Sequence, residues 1–441
     1  MAETPSKSSG LFGWYFGSNL LIRILTGLVL GAIVGVILGL NPGTKVTTNF
    51  IFFANFFGAL FIRLLKMIVV PVILFSLITG AASITPSQLG RTGGKTLLYY
   101  IVTSIISVSI GLIVALVFRP GEGLNMVGAE GAPEKAASMP ALTDVLLNIV
   151  PTNPVESLAK GDVLPIIFFA LVVGIGLSYL RDSKNETLAK QAHALYDVIA
   201  AAAEVIYKVV GGIMQYAPIG VFALIAVVFA QQGPKVVGPL LYVTLAVYVG
   251  LILHLCIGYG GLMTLFGLNF VTFIKGAWEA MITAFVTRSS SGTLPVTLRV
   301  TEENLGVSRK ISSFILPIGA TVNMDGTSIY IAICAMFIGF AVGHPLSGDQ
   351  MLMLMITATL AAIGTAGVPG AGAIMLIMAL ETVGLKVEAG SAVAATYALV
   401  LGIDALLDMG RTAMNVTGDM AGVTIVAKTE EGMLDESKWK K

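Results

Sequence analysis

Within Leu401–Asp419, LGIDALLDMGRTAMNVTGD, five strongly polar side chains, Asp404, Asp408, Arg411, Asn415 and Asp419, interrupt an otherwise apolar run. At 100° per residue they project within about 80° of one another on an α-helix, so one face carries the polarity. Four of them are charged, and at ~2.5–3.5 kcal/mol each their exposure to lipid would cost about 10–14 kcal/mol. Such a face must look into protein, water or ligand. It can serve as a set of internally paired structural charges, or as a binding site for a charged solute and for ions.

Counting the charges that would meet beside this stripe sharpens the second reading. Asp325, Asp404, Asp408 and Asp419 stand against Arg411 and Arg288, an excess of two negative charges. In a low-dielectric interior that excess persists only if carboxylates protonate or cations bind. Hard alkali cations take oxygen ligands from carboxylates, Asn and Thr side chains, and carbonyls freed where a helix unwinds. Gly326 beside Asp325 and Gly418 beside Asp419 are the expected places for that unwinding. A guanidinium at Arg411 suits a two-pronged grip on a carboxylate, and Asp408 could accept a protonated amine. Together they describe a solute with an amino group and a second carboxylate. Its α-carboxylate could meet the Ser289–Ser291 segment, backbone amides and Asn415. At i and i+3, Asp408 and Arg411 can equally pair with each other.

The elements that would position these groups are membrane helices. Of the 441 residues 56% are hydrophobic and 12% charged, and mean hydropathy is +0.90, a composition for an all-α polytopic membrane protein. A net charge of +1 offers no footprint for nucleic acid. Cys256 and Cys334 read as reduced, buried small hydrophobes, and His193, His254 and His344 lack the companions of a zinc or haem site. The first ten residues carry no signal-peptide pattern. Apolar runs at 20–40, 50–82, 96–118, 141–150, 163–180, 196–230 and 239–266 give the first spans. Arg23 is placed to snorkel, Pro71 to kink the second span, and Glu204 with Lys208 to pair at i,i+4. Hydroxyls of the third span, on Tyr99, Tyr100, Thr103, Ser104 and Ser107, can bond helix to helix.

From residue 268 the pattern changes. The stretches 268–299 and 351–385 are broken at mid-length by Arg288–Pro295 (RSSSGTLP) and Gly364–Gly372 (GTAGVPGAG), leaving arms of about fifteen residues, too short to cross a ~30 Å core. They read as re-entrant helical hairpins, allowed where they line a cavity. Each precedes a helix with a polar cluster, ATVNMDGT at 320–327 and TAMNVTGD at 412–419, which points to an internal repeat around a midplane site. Basic clusters at Arg91 and Lys95, at Arg181, Lys184 and Lys190, at Arg299, Arg309 and Lys310, and after Ala427, place the C-terminus in the cytoplasm; the acidic loop Pro120–Pro140 is then outside.

In RSSSGTLPVT, GATVNMDGTSIY, GTAGVPGAG and GIDALLDMGRTAMNVTGDMAG the chain resembles the dicarboxylate/amino acid:cation symporter family, over about Leu20–Glu430. The resemblance implies eight transmembrane helices plus two re-entrant hairpins, inverted repeats, an elevator-type transporter and a homotrimer in lipid. It divides the chain into a cytoplasmic segment 1–19, scaffold helices in 20–92, a mobile third helix 93–119, an external loop and scaffold helices in 120–235, a transport part 236–430 and a cytoplasmic tail 431–441. It implies that Arg411 holds the side-chain carboxylate of L-aspartate and Asp408 its amino group. Ser290, Thr327, Thr412 and Asn415 complete the shell, and Val368 to Gly372 form the gate. For Na+ it implies one site from Gly319, Asn323, Asn415 and Asp419 and a second from Thr321, Ala362, Ile363 and Thr365 carbonyls. A third would use Tyr100, Thr103, Ser104, Asn323 and Asp325.

Where proton- and potassium-coupled vertebrate members carry Glu, this chain has Ile331, which removes a proton carrier there. Arg288 with Met409 resembles archaeal members, and Ala362 stands where some relatives have Ser. The expected activity is sodium-coupled symport of acidic amino acids, aspartate favoured over glutamate, in a prokaryotic inner membrane, and no enzyme is expected. A C4-dicarboxylate carrier would not need Asp408, a neutral amino acid carrier would not need Arg411, and an anion channel would need a continuous pore.

Overall fold

The computed structural model describes residues 20–83, 86–124, 126, 147, 149–362, 367–388 and 390–439. Among them the chain is nearly all helical, with one isolated bridge, Val307 to Leu434. Seven described helical stretches are long and apolar enough to cross a membrane, as expected of a chain whose backbone polar groups must be satisfied within lipid.

The first helices are α1 (Leu20–Gly39), α2 (Lys45–Ala82) and α3 (Pro86–Phe118), followed by the short α4 (Pro154–Lys160), α5 (Val163–Arg181) and α6 (Glu186–Gln232). Helices α1, α2, α5 and α6 pack on one another. Gly27, Gly31 and Gly35 recur every fourth residue on α1, and a Cβ at each would stand 2.5–2.6 Å from carbonyls of Pro218, Phe222 and Ala226 on α6. The stripe exists for close backbone approach. Arg23 is buried instead of snorkelling. Glu204 and Lys208 are exposed, and among the described residues no ion pair joins them. The third span begins at Pro86, ten residues before its apolar run. Of the run 141–150, only residues 147, 149 and 150 are described.

The second packing group is built around the polar stripe. Helix α7 (Val237–Leu253) passes through a π-helical turn, His254–Tyr259, into α8 (Gly260–Leu265). Cys256 on that turn is exposed, against expectation, while Cys334 is buried. The first hairpin has arms α9 (Phe270–Thr287) and α10 (Ser290–Glu303), followed by α11 (Arg309–Val322) and α12 (Asp325–Ala341). The second hairpin has arms α13 (Gly348–Ala362) and α14 (Ala371–Thr382), and α15 spans Ala392–Lys428. Helices α3, α9, α11 and α12 pack on α15. Lys95 Nζ meets Glu430 Oε1 at 2.7 Å, pinning α3 to the end of α15. The C-terminal segment returns to the first hairpin through Ser308 N to Met433 O at 2.9 Å and Asp435 N to Gly306 O at 2.8 Å. The Ser437 side chain and amide hold the Asp435 carboxyl below the usual carboxylate range.

Two breaks differ from expectation. The first hairpin turns at Arg288 and Ser289 alone: Arg288 takes left-handed φ 54°, and Ser289 Oγ accepts from Gly292 N at 3.0 Å, so α10 restarts at once. Between α11 and α12 the unwound residues are Asn323 (φ −103°, ψ 97°) and Met324 (φ −123°, ψ 48°), not Gly326. Helix α15 runs unbroken through Gly418. Both glycines are there for proximity: a Cβ on Gly326 would overlap the Arg411 carbonyl, and one on Gly418 would overlap the Tyr259 hydroxyl.

Candidate functional site: a buried arginine and two ion-type clusters

Arg411, only 2% exposed, sits on α15 with its donors divided. Nε meets Asp408 Oδ1 at 2.9 Å, and Nη1 meets Asp404 Oδ1 at 3.0 Å. Nη2 is buried with no partner among the described residues. The Tyr330 ring lies 4.5 Å beneath the guanidinium, and a Cβ on Gly372 would overlap it from the second hairpin. The guanidinium is therefore fixed in direction by three elements at once, α15, α12 and the second hairpin, with Nη2 unspent.

That nitrogen belongs to a small, partly open cleft. Ser290 from the first hairpin, Thr327 from α12, Val368 and Gly372 from the second hairpin, and Asp408, Arg411, Thr412 and Asn415 from α15 all line it. The eight residues anticipated for a solute are thus brought together, with Arg288, Met324, Gly367 and Ala371 beside them. Asp408 Oδ1 also accepts from Thr412 Oγ1 at 3.1 Å, and its Oδ2 accepts from Gly370 N at 3.4 Å. The hairpin tips meet through Ser289 Oγ donating to Gly367 O at 2.8 Å. Asn415 is spent on both sides: its Oδ1 accepts from Gly326 N at 2.8 Å and its Nδ2 reaches Thr327 Oγ1 at 3.3 Å.

Below the cleft the oxygens gather in two places. Asn323 Nδ2 donates to Asp419 Oδ1 at 3.0 Å and to the Asn415 carbonyl at 3.2 Å. A Cβ on Gly319 would stand 2.5 Å from the Tyr100 hydroxyl and 2.6 Å from Asp419 Oδ1, so these groups share one small space. The Tyr100 hydroxyl and Asn323 Oδ1 are buried with no partner among the described residues. Fully buried carboxylates beside orphaned oxygens, with no cationic side chain among them, form a donor set that fits a hard monovalent cation. Ser104 Oγ donates to Asp325 Oδ1 at 2.9 Å, which joins the third span to this region. Thr103, buried, turns its hydroxyl to the Tyr100 carbonyl at 3.2 Å, and Thr321 turns its own to Ile318 O at 3.1 Å. Ala362 ends α13, while Ile363 and Thr365 lie outside the described residues.

Asp404, placed on the polar face by the sequence, is an Arg411 partner. Three residues were missed from the sequence. Tyr330 lies in an apolar helix with no pattern to mark it. His254 and Tyr259 converge on Asp325 from a segment read as an ordinary span; only a lone histidine amid apolar residues marked the place.

Residues 20–429 match the sodium:dicarboxylate symporter family. The chain is 35% identical over 426 residues to a proton/sodium-glutamate symport protein of Geobacillus stearothermophilus, covering 95% of this chain and 96% of that protein. It is 36% identical over 385 residues to a proton/glutamate-aspartate symporter of Escherichia coli, with 85% and 84% covered. With excitatory amino acid transporter 1 of Ambystoma tigrinum it shares 33% over 421 residues, covering 84% of this chain and 76% of that one. A helical, polytopic membrane chain matched from end to end in this way is a transporter and belongs to the sodium:dicarboxylate symporter family.

Proposed function

We propose that the protein is a sodium-coupled symporter of acidic amino acids that favours aspartate and works by an elevator movement. The observation that carries the reading is the buried Arg411 with Nη2 unspent beside a small polar cleft lined by both hairpins, α12 and α15. An unpaired guanidinium N–H in a buried site is costly until an anion meets it. A side-chain carboxylate takes Nη2 and competes for Nη1; the ammonium group takes Asp408, whose Oδ2 has one long contact at 3.4 Å. The α-carboxylate meets the amides where α10 begins at Ser290, favoured by the helix N-terminus, with Thr412 and Asn415 beside it. A solute lacking the second carboxylate leaves the arginine unpaired, which is the basis of selectivity.

Sodium enters as co-transported substrate. Asp419 with Gly319, Asn323 and Asn415 holds one ion, Asp325 with Tyr100, Thr103, Ser104 and Asn323 another, and Thr321, Ala362, Ile363 and Thr365 a third beneath the second hairpin. Binding at the first two draws Asn323 and Asn415 into place, and Asn415 also lines the cleft. That shared residue couples ion occupancy to solute affinity. The second-hairpin tip opens and closes the cleft; α3 and α7–α15 travel as the mobile part against α1, α2, α5 and α6 in a homotrimer, in an inner membrane with the C-terminus cytoplasmic.

Relatives whose names include protons set the rival coupling. Uptake of labelled aspartate into proteoliposomes decides it: an inward sodium gradient should drive accumulation and an imposed proton gradient alone should not. Accumulation that follows protons and ignores sodium overturns the coupling.

A further inference from the structure

The π-helical turn His254–Tyr259 is the one irregularity in an otherwise continuous α7–α8 helix. On an α-helix, residues five apart project about 140° from each other. The i→i+5 bonding of a π-turn instead brings them toward one face, and such turns recur at functional sites. Here that face presents two donors to one atom: His254 Nε2 lies 3.2 Å from Asp325 Oδ2, and the Tyr259 hydroxyl donates to the same oxygen at 2.9 Å. Their rings stack edge to face at 4.5 Å. Gly258 makes the arrangement possible, since a Cβ there would stand 2.6 Å from His254 Nδ1.

The division of labour at Asp325 is unequal. Among the described residues, Oδ2 receives both donors of the π-turn, while Oδ1 receives only the Ser104 hydroxyl from α3. His254 and Asp325 are both fully buried, and His254 Nδ1 has no partner among the described residues. Nε2 is therefore the ring nitrogen that faces the carboxylate, and an N–H there donates to Oδ2. Tyr259 also contacts the Met414 carbonyl at 3.4 Å and borders Gly418, next to Asp419.

We propose that His254 and Tyr259 are positioning residues for the coupling ion, holding Asp325 by Oδ2 so that Oδ1 stays aimed at the third-span hydroxyls where sodium binds. This rests on the sodium reading of Asp325 given above. An outer-shell partner that orients a ligating carboxylate changes ion affinity without touching the ion. Removing it should leave the solute cleft, which lies on the other side of Asn415, intact.

The test is equilibrium aspartate binding by calorimetry across a series of sodium concentrations, with the sodium dependence of thermal unfolding measured without aspartate. His254→Ala should raise the sodium half-saturation by about 10- to 100-fold while aspartate affinity at saturating sodium stays within about twofold. His254→Gln, which keeps an N–H donor, should recover most of the loss. Tyr259→Phe removes a single hydroxyl and should shift sodium dependence in the same direction, in a variant that folds. Unshifted sodium dependence in Tyr259→Phe and either His254 variant, with a sodium-dependent wild type, overturns the inference alone. A Gln variant no better than Ala also overturns it. Wild-type binding indifferent to sodium overturns the ion site and the inference together.

Discussion

Arg411 illustrates how one buried side chain can be both structural and available. Asp404 and Asp408 hold Nη1 and Nε at 3.0 and 2.9 Å, and Tyr330 supports the plane from below. Two carboxylates share one guanidinium, and Arg288 lines the same cleft as Asp408. The pairing of Asp408 with Arg411, left open by their i,i+3 spacing, is compatible with a zwitterionic solute: the ammonium replaces part of what the arginine supplies. Arg411→Cys should lower aspartate affinity at least about 100-fold, since hydrogen bonds to charged groups contribute ~1.5–3 kcal/mol each, and should let neutral amino acids compete. Competition of labelled aspartate and serine for binding checks both halves, and retained aspartate affinity would assign the acidic group elsewhere. Arg411→Lys should not rescue, because a point charge cannot reproduce the planar fork.

At the scale of elements, the helical spans were legible because lipid forces apolar runs of spanning length, and the hairpins because Gly, Ser and Pro interrupt them. Where a helix breaks was less legible. Gly326 and Gly418 invited a reading as weak points, yet the backbone unwinds at Asn323 and Met324 and α15 does not unwind at all. The reason is tertiary: glycine also serves where another element must come close, and no local pattern separates the two uses. Tyr330 was illegible for the same reason, since the guanidinium it lies under belongs to another helix. Two glycines in helix interiors test this. Gly212 on α6 faces open space, so Gly212→Ala should stabilise by about 0.5–1 kcal/mol through helix propensity. At Gly418 the new Cβ would stand 2.5 Å from Asn323 Nδ2, so Gly418→Ala should lower the melting temperature and weaken sodium-dependent binding about tenfold or more. Thermal unfolding of the two variants side by side should show opposite signs; equal shifts would deny the close approach.

For the whole molecule, the two packing groups meet along surfaces that include α2 against α14 and α6 against α15. One ion pair spans the first of these: Lys66 Nζ on α2 lies 3.0 Å from Glu381 Oε1 on α14, with side chains 34% and 30% exposed. A half-exposed pair of this kind contributes about 0–1 kcal/mol, too little to hold the molecule together but enough to change the balance of two arrangements up to about fivefold. If the groups slide past one another during transport, the pair must form and break in each cycle. Lys66→Glu would then set two carboxylates against each other in this arrangement only, shifting the resting balance and changing uptake rate a few-fold, while aspartate affinity at saturating sodium moves less than about twofold. The charge-reversed double variant, Lys66→Glu with Glu381→Lys, rebuilds the attraction and should return the rate toward wild type. Recovery in the double variant ties the rate to this contact. A Lys66→Glu variant with wild-type kinetics, or a double variant no better than the single, would mean that α2 and α14 do not part during the cycle, and the sliding movement would have to run along another surface.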